Sequence, residues 1–222
     1  IGWNRSDTGQ AIPIEQMREW VNDRVQTILR FQPKHVLEIG CGTGLLLLQI
    51  APHCQEYWAT DFSKMSLDRI QTLVNQTAAP VQLLHQTASD FDHIPSDAFD
   101  VAILNSVVQY FPSLDYLLQV LAGAIETLNS RGLLFVGDIR SLPLLQAFHA
   151  SVQFHQASAT LERSQLQHQV ERAMFEETEL VIDPAFFVSL RQRFSQIHHI
   201  QIQLLQGRSV NEMNQFRYNV LI

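Results

Sequence analysis

"VLEIGCGTG", residues 36–44, is an apolar run that ends in three closely spaced glycines. A short run of aliphatic residues flowing into bare backbone reads as a buried strand whose carboxyl end meets a ligand. The glycine spacing narrows the ligand. Dinucleotide sites use G-x-G-x-x-G and P-loops end in G-K-S/T. Here the loop is Gly40-x-Gly42-x-Gly44, with neither the longer spacing nor a lysine.

Outward from this stretch, strands and helices alternate. "HVLEIG" (35–40), "EYWATD" (56–61), "VQLLHQT" (81–87), "FDVAILNS" (99–106) and "GLLFVGDI" (132–139) read as strands. "GLLLLQIAPH", "MSLDRIQTLVNQ" and "DYLLQVLAGAIETL" read as the helices between them, and residues 14–30 carry apolar residues at helical spacing (Met17, Trp20, Val21, Val25, Ile28) up to Pro33. Short continuous apolar strands alternating with helices indicate a parallel sheet covered on both faces. Residues 142–180 read as helical throughout, and "HIQIQLLQ" and "FRYNVLI" then alternate like paired edge strands. The expected fold is α/β: a Rossmann-like, doubly wound, mostly parallel sheet with a C-terminal antiparallel hairpin and an inserted helical lid. One domain of residues 1–222 is expected, made of an N-terminal helical segment (1–32), a ligand-binding core (33–141), the lid (142–195) and the hairpin (196–222). The first residue is Ile1, which fits a domain taken from a longer chain.

Such a sheet binds its ligand at the carboxyl ends of the strands. Glu38, two residues before Gly40, would repel a phosphate and suit a cation. Asp61 closes the second strand, where a carboxylate can accept hydrogen bonds from both ribose hydroxyls. A ligand with a ribose, a positive charge and no phosphate satisfies all three features. S-adenosylmethionine, with its sulfonium and ammonium, is such a ligand.

Composition excludes other classes. The net charge is −7, with lysine only at Lys34 and Lys64, so the chain lacks the basic stripe that tracks nucleic acid. No apolar run reaches membrane-spanning length, and Cys41 and Cys54 form no disulfide framework, which fits a reducing cytoplasm. His85, His93, His198 and His199 lack the spacing and company of metal ligands, so no metal is expected.

"VLEIGCGTG", "YWATDFS", "QTASDF" and "FDVAILNSVVQYF" together resemble the class I S-adenosylmethionine-dependent methyltransferases. The resemblance assigns Glu38, Gly40, Cys41, Gly42 and Gly44 to the cofactor loop, Asp61 to the ribose and Phe62 and Ser63 to its surroundings. It places Ala88, Ser89 and Asp90 beside the adenine, and Asn105, Ser106 and Val107 at the methionine end. "LNSRG" (128–132) departs from the Pro-Gly-Gly turn of many members, in a loop away from the site. "NSVVQYFPSLDYLL", "GDIRSLPLLQAFHASV" and "ELVIDPAFF" further resemble the methyltransferase domains embedded in polyketide synthases and nonribosomal peptide synthetases. That resemblance implies an acyl carrier protein as partner, presenting its substrate on a phosphopantetheine arm beside neighbouring synthase domains, and S-adenosylhomocysteine as a product. Linkage on one polypeptide makes strong intrinsic affinity for the carrier unnecessary. Arg163, Arg172, Arg191 and Arg193 are candidates for guiding it, though a solvated helix face explains them better.

The acceptor turns on His149, placed by the resemblance on the helix over the cofactor's methyl. An alcohol is a weak acid, so its methylation gains roughly 10²–10⁴-fold from a positioned base, and an imidazole suits that task near neutral pH. The expectation is therefore O-methylation of a carrier-bound β-hydroxyacyl thioester, ahead of N-methylation of an aminoacyl thioester and then C-methylation. A catalytic imidazole wants a carboxylate partner. Glu179 is placed first, Glu177 next, with Glu176 and Asp183 behind. Tyr110 and Gln109 are candidates for hydrogen bonding the acceptor, and Asp138 with Arg140 for an ion pair holding the strand end. Rival readings are a non-catalytic cofactor-binding module and a free-standing small-molecule methyltransferase.

Overall fold

The computed structural model describes residues 3–76, 80–205 and 207–222. Its elements in chain order are α1 (Ile14–Leu29), β1 (His35–Ile39), α2 (Leu47–Ile50), β2 (Glu56–Asp61), α3 (Lys64–Val74), β3 (Val81–His85), β4 (Phe99–Asn105), α4 (Leu114–Thr127), β5 (Leu128–Arg140), α5 (Leu145–Gln156), α6 (Arg163–Phe175), α7 (Pro184–Arg193), β6 (Gln201–Leu204), α8 (Glu212–Gln215) and β7 (Arg217–Leu221). The seven strands form one sheet in the order β3-β2-β1-β4-β5-β7-β6. β1 to β5 are parallel, and β7 runs antiparallel to both β5 and β6. This is the Rossmann-like sheet with an antiparallel end that the alternating pattern implies. Gln206, expected at the end of β6, lies outside the described residues.

Because side chains alternate across a strand, successive apolar residues fill two cores. Val36, Tyr57, Ala59, Val101 and Ile103 pack on one face under α1 to α3. Leu37, Ile39, Ala102, Leu104 and Val136 pack on the other, under α4 and α7. α3 starts at Ser63, whose hydroxyl accepts the amide of Ser66, and α4 at Ser113, whose hydroxyl accepts that of Tyr116.

Three expectations are corrected. The stretch 44–53 is not one helix: α2 is four residues and a 3₁₀ turn at Ala51–His53 follows, where Pro52 begins the break. Residues 128–132 are not a separate turn but the first part of β5. There Phe99 pairs with Leu128, and Asn129 Nδ2 donates to Asp100 Oδ1 at 2.9 Å. The stretch 142–180 holds a 3₁₀ turn at Leu142–Leu144 and two helices, with one loop between them and another after. A capping box at Glu162, with Gln165 as its partner, restarts the chain as α6.

Candidate functional site

The site lies where the parallel strands end. After β1 the chain turns through Gly40, Gly42 and Gly44 at φ of +75°, +54° and +79°, the left-handed region where a Cβ is costly. The three glycines have different reasons to be bare. A Cβ on Gly40 would come within 2.6 Å of Val107 Cγ2, and one on Gly44 within 3.2 Å of Ile70 Cγ1. A Cβ on Gly42 would meet nothing within 4 Å. Gly42 therefore opens on space, Gly40 also lines it, and Gly44 serves packing against α3. The loop's amides are already committed. Gly40 and Cys41 donate to Thr60 O, Gly42 to Asp61 Oδ2 at 2.7 Å, and Gly44 to Cys41 O. Those four N–H groups offer no cradle for a phosphate.

Two cavities flank the loop. One, of about 220 Å³, is lined by Glu38, Gly40, Cys41, Gly42, Asn105, Ser106, Tyr110 and the indoles of Trp3 and Trp20. The other, of about 420 Å³, is lined by Asp61, Phe62, Ser63, Gln86, Ala88, Val107 and Tyr116, sharing Gly40, Gly42, Ser106 and Tyr110 with the first. Ser89 and Gly44 line neither.

Glu38 is buried, and Tyr57 O–H donates to its Oε2 at 2.8 Å. Burial pushes its carboxyl up to about 8, opposed by the tyrosine bond and assisted by the Asp61 charge. Burial likewise raises the Cys41 thiol, so it stays protonated. Asp61 is buried and its oxygens accept the amides of Gly42 and Ser63, pinning the loop to β2 while lone pairs remain on both. At the end of β4, Ser106 takes φ +57° and its hydroxyl donates to Asp138 Oδ2 at 2.7 Å. The side-chain carbonyl of Asn105 is buried without a partner.

A third cavity, of about 420 Å³, lies between the sheet end and the lid. Gln109, Tyr110, Arg140, Phe148, His149, Val152, Glu177, Thr178 and Glu179 line it, together with Trp3 and residues 212, 213, 216 and 217. Tyr110 lines all three cavities and is 67% exposed, so it stands at their junction. His149 Nε2 faces Glu177 Oε2 at 3.2 Å. Glu177, not Glu179, is thus the carboxylate at the imidazole. Glu179 turns to Arg140 Nη1 at 2.9 Å, while Arg140 Nη2 donates to Glu177 at 2.7 Å. Burial opposes the Glu177 charge, but Arg140, the Glu179 amide and His149 outweigh it and hold its carboxyl below the usual range.

The expected Asp138–Arg140 pair is also corrected. β5 shifts register between Val136 and Ile139, and Asp138 takes φ +64°, which breaks the same-face alternation of i and i+2. Asp138 instead accepts Trp20 Nε1 at 3.2 Å and Arg217 Nη1 at 2.7 Å, besides Ser106. Sequence reasoning did not single out Trp3 or residues 212–217. They are distant in sequence, and the Trp3–Trp20 edge contact at 4.8 Å is what brings the N-terminal segment to the site. Among the described residues no group of three His, Cys, Asp or Glu is placed to hold a metal ion, and no helix is long and apolar enough to cross a membrane.

Comparisons with known proteins meet this geometry. Residues 37–134 match the family model described as a methyltransferase domain. The chain is 48% identical, over its whole length, to part of the chondramide synthase of Chondromyces crocatus, and covers 6% of it. It is 40% identical over its whole length to part of a probable non-canonical nonribosomal peptide synthetase of Salinispora arenicola, covering 3%. The chain thus spans less than a tenth of these relatives. Among solved structures, the N-methyltransferase NodS of Bradyrhizobium japonicum WM9 with S-adenosyl-l-homocysteine superposes with a TM-score of 0.60. Identity is 14%, over 90% of this chain and 85% of that one, a likeness of fold.

Proposed function

We propose that the chain is an S-adenosylmethionine-dependent methyltransferase, as the methyltransferase family model matched by residues 37–134 supports, and that it methylates the amine nitrogen of an aminoacyl thioester. In this reading the thioester hangs on the phosphopantetheine arm of a carrier protein within a peptide-assembling synthetase. The observation that carries it is the lid cavity. His149 and Glu177 face each other there, and Tyr110 joins that cavity to the two beside the glycine loop. Full-length similarity to segments of peptide synthetases supports the setting. It also moves nitrogen ahead of the β-hydroxyl that the sequence put first, since a peptide synthetase handles amines at every unit. Three carboxylates line the lid cavity, Glu177, Glu179 and Glu212, against two guanidinium groups, Arg140 and Arg217, so the balance still favours an ammonium group.

The residues present fit the cofactor. Gly42 leaves a space that any Cβ would fill, Asn105 carries an orphaned buried carbonyl, and Asp61 keeps free lone pairs. In this assignment Gly40 and Gly42 lie against the ligand, Asp61 takes the ribose, and Phe62, Ser63 and Ala88 flank the adenine. Glu38, Asn105 and Ser106 face the positively charged methionine end. Bound there, S-adenosylmethionine supplies an electrophilic methyl and leaves as S-adenosylhomocysteine.

The chain's own work is on the acceptor. An α-ammonium ordinarily titrates near 7.7–8.0, so a large share must lose its proton before the lone pair can attack. With its own proton on Nε2, toward Glu177, His149 has Nδ1 to accept it. Tyr110 keeps water from the junction and aligns the nitrogen.

The His149–Glu177 contact equally suits an alcohol acceptor, so O-methylation stands as the second reading. Intact-protein mass spectrometry of aminoacyl, β-hydroxyacyl and β-ketoacyl carriers separates them. Methyl gain on the aminoacyl carrier alone is expected. Gain on the β-hydroxyacyl carrier alone transfers the function to oxygen, and gain on none of the three supports a non-catalytic module.

A further inference from the structure

The lid cavity presents both polar and apolar side chains. Its polar wall comes from the sheet end and the loop after α6: Gln109, Arg140, Glu177 and Glu179, with His149. Its apolar surface comes from Trp3 of the N-terminal segment, Phe148 and Val152 of α5, and Met213 and Phe216 around α8, while Asn4, Ser6, Glu212 and Arg217 also line the cavity. The apolar wall is built and held. Phe148 meets Phe216 edge-on at 5.4 Å, and the Arg140 guanidinium sits 4.9 Å from the centre of its ring. Gln156, further along α5, donates to Ser6 O and Asp7 O at 3.1 Å, which fixes the segment carrying Trp3. Glu212 accepts Ser6 N at 2.8 Å from the other side.

A reacting amine needs only the polar wall. A cavity of about 420 Å³ lies within the range that encloses a drug-sized molecule, so the amine leaves much of it unfilled. Resting on the nitrogen reading above, we infer that the apolar wall is a subsite for the side chain of the aminoacyl unit. It selects large apolar or aromatic amino acids over small ones. Trp3, Phe148, Val152 and Phe216 contact that side chain while the amine faces His149.

Val152 provides the test, because it lies one turn from His149 on the same helix and belongs to the subsite but not to the cofactor-binding or proton-transfer groups. Carrier-bound phenylalanyl, leucyl and alanyl thioesters are methylated in competition and read by mass spectrometry. Wild type should favour phenylalanyl and leucyl over alanyl by about 10-fold or more, the scale of burying one apolar side chain. Val152→Phe should cut the phenylalanyl-to-alanyl ratio about 10-fold, and Val152→Ala should raise it. S-adenosylhomocysteine titration of each variant should be unchanged, which reports that it is folded. Equal methylation of all three side chains overturns the subsite while leaving the nitrogen reading intact. Ratios unmoved by either variant do the same. Methylation of β-hydroxyacyl carriers only overturns both.

Discussion

Glu38 is an acid that burial keeps protonated. Its carboxyl sits at about 8, against an ordinary 4.5, so between those values the folded protein holds a proton the unfolded chain has released. Stability from this residue is therefore full below about 4.5 and is lost as pH rises through about 8. The unliganded protein should melt at falling temperatures from pH 6 to 9. Glu38→Gln should flatten that slope, as differential scanning fluorimetry would show. An unchanged slope would move the cause elsewhere. The glycines separate in the same residue-level way. Gly42→Ala should abolish S-adenosylhomocysteine binding more than it harms folding, whereas Gly40→Ala should mainly destabilise, through Val107. Glu177→Gln should slow turnover by about 10²-fold, the lower end for acid–base assistance, and Glu179→Gln far less, with both read under cofactor saturation. That distinction was not legible beforehand. Glu176, Glu177, Glu179 and Asp183 crowd one loop, and only the path of its backbone decides which reaches His149. The glycines, Glu38 and Asp61 could be read, because a strand followed by a turn fixes where its last residues lie.

At the scale of elements, the lid is fastened to the sheet by Arg140, the last residue of β5. Its guanidinium spans Glu177 and Glu179, and burial is outweighed by those two carboxylates in keeping it charged. Arg140→Ala would leave two partly buried acids facing each other. The expected cost is about 2–3 kcal/mol, below that of a fully buried pair because Glu179 is one-third exposed. Urea unfolding would measure it as a lowered midpoint, with Arg140→Lys recovering part. Strands and long helices were legible because their apolar periods are unbroken. The lid was not, since Gln and Glu fill both faces of residues 156–177 and the break before Glu162 carries no proline or glycine. The bulge near Asp138 left no period to follow either.

Across the whole molecule, Asp138 gathers distant segments in the interior. It accepts from Trp20 of α1, Ser106 after β4 and Arg217 of β7, and its amide donates to Asn219. Arg24 lies 3.6 Å away, fully buried, its ordinarily high value lowered to about 10 by burial, with Asp138 and Asp23 opposing. Asp138→Ala should cost about 3–5 kcal/mol, the scale of an orphaned buried charge. Loss of the whole chain's amide protection in hydrogen exchange, and not of one helix alone, would mark it as a global tie. The acidic loop is held differently. Leu180 N donates to Gln109 O, Ile182 N to Arg140 O and Leu142 N to Ile182 O, and Tyr218 O–H also reaches Ile182 O. Main chain thus sets the course of residues 180–182, whatever side chains the neighbouring positions 177 and 179 carry. Selection can therefore rewrite the reactive letters without reworking the page they stand on. In the proposed mechanism a descendant facing a different nucleophile changes Glu177 and His149, and inherits the rest.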